Sequence, residues 1–138
     1  PSPQRWTLAD PYLYSMVTEI RSNNKTIDTY ETPFGIRTLR WDPATGFYLN
    51  DKPTKILGVC LHHDLGCLGV AINERALTRQ IEIMKEMGVN SIRTSHNPPA
   101  PELLDICDRM GVLVPDESFD MWRRRKSRFD YAQYFDDW

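Results

Sequence analysis

Between Lys55 and Glu117, short apolar runs alternate with segments of helical period, joined by links of only a few residues. Lys55 to His63 is a near-continuous apolar run, as in a strand buried on both faces. A glycine-rich loop from Gly66 to Gly69 follows. Asn73 is placed to cap a helix from Glu74 to Met87, where Leu77, Ile81 and Met84 share one face. Gly88 stops that helix in the position where a left-handed residue is common. Val89 to Ser95 is a second strand. Pro101 to Met110 is a second helix, with Leu103, Cys107 and Met110 on one face and Gly111 as its stop. Val112 to Val114 is a third strand, ending at Asp116-Glu117. This order predicts α/β structure: a parallel sheet with right-handed crossovers and chemistry at the carboxyl ends of its strands.

The first 30 residues read differently. Asp10-Pro11 marks a turn, Tyr12 to Ile20 is rich in aromatic and β-branched residues, and Ser22 to Lys25 is a turn before a returning strand from Thr26 to Tyr30. That is too little sheet to stand alone and fits the end of a β-sandwich. The stretch from Glu31 to Asp42 is the expected boundary or crossover, and Trp41 to Gly46 is dense in turn residues. Phe47-Tyr48-Leu49 with Asn50-Asp51-Lys52-Pro53 predicts a small hairpin. At the other end, Tyr131, Tyr134, Phe135 and Trp138 predict an amphipathic helix. A closed (β/α)₈ barrel needs about 200 residues or more, so the expectation is a piece of a longer protein. An open sheet edge and uncovered helix faces would favour self-association.

Composition excludes some classes. A net charge of −2 gives no electrostatic case for nucleic acid. No apolar run approaches the roughly 20 residues of a membrane span, and no signal peptide is visible at the start. Cys60, Cys67 and Cys107 lack the paired spacing of a zinc site and are expected to be free thiols. The run Arg123-Arg124-Arg125-Lys126 is a solvated basic loop or a contact for an acidic ligand.

The three predicted strands end in His62-His63-Asp64, His96-Asn97 and Asp116-Glu117. If the strands are parallel neighbours, these groups meet at one rim. Adjacent side chains on a strand point to opposite faces, so His62 and His63 cannot both face one metal ion. A metallohydrolase barrel is therefore the weaker alternative. Leu57, Val59 and Leu61 form a bulky row suited to outer helices, whereas Gly58, Cys60 and His62 form a smaller row suited to the interior. Arg93 stands mid-strand and requires a carboxylate, either one belonging to the active site or a purely architectural partner. His96 and Asn97 are substrate contacts, or Asn97 caps the next helix. Asp116 and Glu117 are site residues or loop hydrogen-bonding groups. Being adjacent, they cannot face each other across a substrate as two glycosidase carboxylates do. Trp122 is a sugar-stacking platform or loop packing.

At these residues the chain resembles glycoside hydrolase family 2, the β-galactosidase, β-glucuronidase and β-mannosidase family. The matching segments are 10–14, 34–37, 57–64, 84–99, 107–111 and 114–117, of which Met84 to Pro99 is the most specific. The resemblance implies the end of an immunoglobulin-like β-sandwich over residues 1–45 and the first three units of a TIM barrel over 46–138. It implies a β-glycoside as substrate and no cofactor, with His62 and His96 on the sugar hydroxyls and Arg93 bracing the nucleophile. Asp116 and Glu117 would lie at the site's edge, with Trp122 lining it. The family is retaining and uses two glutamates, the acid/base in an Asn-Glu pair after the fourth strand and the nucleophile after the seventh. Both are expected beyond Trp138, so no catalytic residue is assigned within this chain, which alone is expected to be inactive. The Mg²⁺ ligands of some family members are not carried over, because the loop from Ser118 to Trp122 lacks a Glu-x-His. The form of Leu61 to Asp64 and of the Phe119 to Trp122 loop most resembles β-galactosidases. The alternative from another class is a non-catalytic carbohydrate-binding or structural fragment. A secreted or periplasmic location is the expectation for the full-length protein.

Overall fold

The computed structural model describes residues 2–137. It begins with an antiparallel hairpin, β1 (Tyr14–Ser22) and β2 (Lys25–Phe34). Its tight turn puts Asn23 and Asn24 at φ 49° and 62°. A type I′ hairpin loop needs positive φ at both central positions, and asparagine tolerates it. Ile20, Ile27 and Tyr30 on this ribbon are exposed. The two strands and the turn between them are those expected from the aromatic and β-branched residues of this stretch.

Next come β3 (Leu39–Asp42), β4 (Gly46–Leu49) and β5 (Lys52–Pro53), a three-stranded antiparallel meander in that order. The hairpin at Phe47 to Pro53 is as expected, turning on Asn50 and Asp51 with positive φ. Strand β3 is not. It falls at the end of the expected boundary, Glu31 to Asp42, and the turn residues between Trp41 and Gly46 form the loop of a second hairpin. The Asp42 carboxylate accepts the N–H groups of Ala44 and Thr45 at 2.9 and 2.8 Å and closes that loop.

The parallel part consists of β6 (Gly58–Leu61), α1 (Glu74–Glu86), β7 (Ser91–Thr94) and α2 (Pro101–Met110). The Asn73 side chain accepts the Ala76 N–H and caps α1, while Gly111 at φ 72° ends α2. Strand β6 is shorter than the apolar run that contains it. Residues before it bond instead to the Asn90 side chain, which accepts the Leu57 N–H and donates to the Lys55 carbonyl, each at 2.9 Å. The third predicted strand is reduced to a single parallel bridge, Ser91 to Leu113. Its backbone still follows β7, since Ile92 N–H donates to Leu113 O at 2.8 Å and Thr94 N–H to Pro115 O at 3.3 Å. Pro115 has no N–H to give back, so the ladder stops there.

Two cores meet at this strand. Val112 joins Leu77, Ile81, Ile92, Leu103, Ile106 and Cys107 beneath the helices. Leu113, pointing the other way, joins Trp6, Phe47 and Leu49. The expected C-terminal α-helix is instead a 3-10 segment, Tyr131–Asp137. Asp130 shapes its approach by accepting the N–H groups of Lys126, Ser127 and Ala132. Trp138, the last residue of the predicted stripe, lies outside the described residues. Among the described residues no helix is long and apolar enough to cross a membrane.

Candidate active site

Parallel pairing sets Gly58, Val59, Cys60 and Leu61 opposite Ser91, Ile92, Arg93 and Thr94. Val59, Leu61 and Ile92 pack into the helix-side core, so Cys60 and Arg93 stand together on the other face. The expected division of rows therefore holds on both strands.

Arg93 organises that face. Its Nε donates to Glu117 Oε1 at 2.6 Å and its Nη2 lies 2.5 Å from the same oxygen. Its Nη1 donates to the Cys60 sulfur at 3.4 Å. The other Glu117 oxygen, Oε2, is 3.0 Å from His96 Nδ1, and Arg93 Nη2 is 3.4 Å from that same nitrogen. Arginine has no acceptor and an ionised carboxylate no donor. The shorter contact to Glu117 therefore assigns the proton to His96 Nδ1, which donates to the carboxylate. His96 Nε2 is then the ring nitrogen that Glu117 does not engage. His62 meets the His96 ring edge-on, with centroids 5.7 Å apart at 83°. The Ser95–His96 peptide bond is cis.

Burial pushes the Glu117 carboxyl upward, but the hydrogen bonds and charges of His96 and Arg93 outweigh it and hold it below the usual carboxylate range. Both of its oxygens are occupied by these partners. A carboxylate held this way is an orienting group, not one that shuttles protons at neutral pH. The hydrogen bond from Arg93 lowers the Cys60 thiol, and the same contact is the first cause raising Arg93, ahead of its bond to Glu117.

The structure thus brings together His62, Arg93, His96 and Glu117. It turns Asp116 away: Asp116 accepts the Thr94 hydroxyl at 3.0 Å and faces a hollow shared with Arg37, Leu104 and Val114. That hydroxyl in turn accepts the Glu117 N–H at 3.1 Å, so Thr94 fixes both acidic residues on their opposite sides. Asn97 is exposed beside His96. It does not cap α2, whose N-cap is Ala100 with no side-chain cap bond. Trp122, 63% exposed, packs edge-on to Phe119 at 5.9 Å and against Phe135 at 5.6 Å. In the basic run, Arg123 pairs with Asp136 and Arg125 donates to Gln133. The sequence contains an Asn-Glu pair, Asn73-Glu74, but it forms the start of α1 and does not close a strand. Sequence reasoning passed over Cys60, although the two-residue alternation of β6 already placed it in the row of His62. A hollow of about 560 Å³ lined by Trp41, Phe47, Pro53 and Lys55 shares no residue with this rim.

Comparison with known proteins bears on this arrangement. Residues 43–126 match the family model described as "Glycosyl hydrolases family 2, TIM barrel domain", and residues 1–37 match "Glycosyl hydrolases family 2". A β-galactosidase of Bacteroides ovatus is 60% identical over 99% of the chain, which spans 16% of that relative. A putative β-glucuronidase of Formosa agariphila is 43% identical over 99% of the chain, which spans 13% of it. Among solved structures, a glycosyl hydrolase family 2 member from Bacteroides cellulosilyticus superposes with a TM-score of 0.89 at 48% identity, covering 97% of this chain and 17% of that one. A β-glycosidase from Bacteroides vulgatus gives 0.90 at 40% identity, covering 99% and 18%. The chain thus spans under a fifth of each of these proteins.

Proposed function

The chain belongs to glycosyl hydrolases family 2, and from that premise we propose that it supplies the sugar-holding side of a retaining exo-β-glycosidase site that cleaves β-galactosides. One observation carries the reading. His62 and His96 meet at the carboxyl ends of β6 and β7, and His96 is oriented by a Glu117 that Arg93 holds in place. An imidazole whose Nδ1 proton is held by a carboxylate turns its Nε2 edge toward a sugar hydroxyl. Rim positions of this kind are where barrel enzymes bind substrate. The preference for galactose rests on the relative from Bacteroides ovatus, which carries the name β-galactosidase at 60% identity. A β-glucuronidase is the second reading, favoured by a 35% identical β-glucuronidase of Bacteroides fragilis and by the 34% identical β-glucuronidase structure from Ruminococcus gnavus.

Hydrolysis with retention needs one carboxylic acid to protonate the leaving oxygen and one carboxylate to attack the anomeric carbon, about 5–5.5 Å apart. Glu117 is engaged by Arg93 and His96, and Asp116 faces away, so this chain's carboxylates are assigned to neither role. We assign both roles to glutamates outside it and expect no hydrolysis by the 138-residue chain alone. The test is a panel of nitrophenyl β-galactoside, β-glucuronide and β-mannoside offered to the full-length protein and to this chain. Turnover of the galactoside by the full-length protein, with none by the chain, is expected. Turnover by the isolated chain would overturn the assignment of roles. A full-length protein that binds galactose without hydrolysing any of the three would establish the carbohydrate-binding alternative.

A further inference from the structure

We infer that Cys60 is a positioning residue for the glycosidase site, acting as the hydrogen-bond acceptor that fixes the far edge of the Arg93 guanidinium. The inference rests on the proposed glycosidase reading. A guanidinium is a planar fork whose orientation is set by acceptors on more than one edge. Glu117 Oε1 takes the Nε and Nη2 edge, and the Cys60 sulfur takes Nη1 at 3.4 Å. Without the sulfur, Nη1 has no acceptor among the described residues, and Arg93 is free to swing about its contact with Glu117. That motion would carry Glu117, and with it the orientation of His96. Strand pairing makes the thiol's location a consequence of backbone and not of a flexible loop, because Cys60 lies directly opposite Arg93. The row continues to Ser95, which is 4% exposed and whose hydroxyl, after Arg93, also lowers the Cys60 thiol. The other cysteines serve no comparable group: Cys67 is exposed on the loop after β6, and Cys107 is buried in the helix-side core.

Two measurements on the full-length protein separate this inference from the reading beneath it. The first is kcat/KM on the nitrophenyl glycoside for Cys60→Ser, Cys60→Ala and Cys60→Val. A hydrogen bond to a charged donor accounts for about a tenfold effect. Alanine and valine are expected to lose about that much, while serine, which still accepts, stays within about threefold of wild type. Valine fills the thiol's space but accepts nothing, so equal activity of valine and serine would show simple packing and overturn the inference. The second is peptide-resolved labelling of Cys60 by iodoacetamide across pH, which follows thiolate attack with loss of iodide. The midpoint is expected at a lower pH in wild type than in Arg93→Gln. An unchanged midpoint, or no labelling of Cys60 at any pH, overturns the inference. If the full-length protein hydrolyses no β-glycoside, the functional reading fails, while the labelling still decides whether Arg93 and Cys60 are coupled.

Discussion

The indole N–H of Trp6 donates to the carbonyl oxygen of Asp108 at 2.8 Å, across 102 residues of chain. Asp108 lies in the last turn of α2, where carbonyls lack helical partners. Trp6 is 1% exposed and packs with Phe47, Leu49 and Leu113, so the start of the chain closes over the far side of the parallel strands. Its backbone also accepts from Asn50, and Arg37 lies over its ring. Replacing it with phenylalanine is expected to cost about 1 kcal/mol, the net worth of the hydrogen bond. Replacing it with alanine is expected to cost about 3–5 kcal/mol, as for other buried aromatic truncations. Urea unfolding of the two variants should show the larger loss for alanine; equal losses would mean that the ring's burial contributes nothing.

Gly111 is pressed against the same segment. A Cβ there would lie 3.0 Å from the Leu8 carbonyl carbon and closer still to its oxygen, and the residue already sits at φ 72°. Gly111→Ala therefore meets both backbone strain and a clash that cannot be relieved by a side-chain rotation. A loss of about 1–3 kcal/mol is expected. Gly66→Ala, at a similar φ of 63° but in open space, isolates the strain alone and should cost less in the same thermal melts.

Removing the α1 cap has a narrower effect. Asn73→Ala leaves the Ala76 N–H without its acceptor and should cost about 1 kcal/mol. Asn73→Ser should restore most of it, because serine caps comparably. Hydrogen exchange of the first turn of α1 would report the loss locally, and unchanged protection there in the alanine variant would contradict it.

The Glu117 cluster makes stability depend on pH in a definite direction. Its carboxyl is held below the ordinary range by His96 and Arg93, against the upward push of burial. A group with a depressed folded-state pKa stabilises above its unfolded value, and that contribution is lost as the pH falls through the folded value. Wild type should therefore be more stable than Glu117→Gln at neutral pH, with the difference shrinking as the solution is acidified below the usual carboxylate range. Melting temperatures of both proteins against pH would show the curves converge. A constant gap would mean that the charge of Glu117 is not what stabilises the cluster.

Burial acts on Cys107 in the opposite sense. Desolvation, aided by the negative charge of Asp108, pushes its thiol up to about 12. Under native conditions Cys107 should resist alkylation at pH 8, where Cys60 and Cys67 react. Peptide mapping after a short exposure to iodoacetamide would show it, and labelling of Cys107 as fast as Cys67 would refute its burial.

Much of this architecture was legible from local signals. Asn73 before an apolar helical face and glycines after Met87 and Met110 mark both helices, and the two-residue alternation of 57–63 and 91–95 sorts outer from inner residues. What escaped depended on tertiary partners. Leu39 to Asp42 is a strand only because β4 returns along it, and the turn residues that identify its hairpin also resemble a linker. Val112 to Val114 has the right composition for a strand, yet Pro115 truncates its ladder. In the site, the requirement that Arg93 have a carboxylate was foreseeable, but not that Glu117 meets it while Asp116 turns outward. That division follows from Thr94, whose hydroxyl holds both from one point. Cys60 was overlooked because a single thiol in an apolar run gives no sign of its neighbour on the next strand.

The pairing of Cys60 with Arg93 also limits how this region can vary in length. Because faces alternate along a strand, gaining or losing one residue within Ser91–Thr94 would exchange the two rows. Ile92 would be delivered to the rim and the arginine driven into the apolar core beneath the helices. Substitutions at outer positions can be absorbed by repacking, but no substitution compensates for such a slip. Insertions and deletions are therefore confined to the loops after His62 and Asn97, and the spacing from Gly88 to His96 is as much a part of the site as the residues it carries.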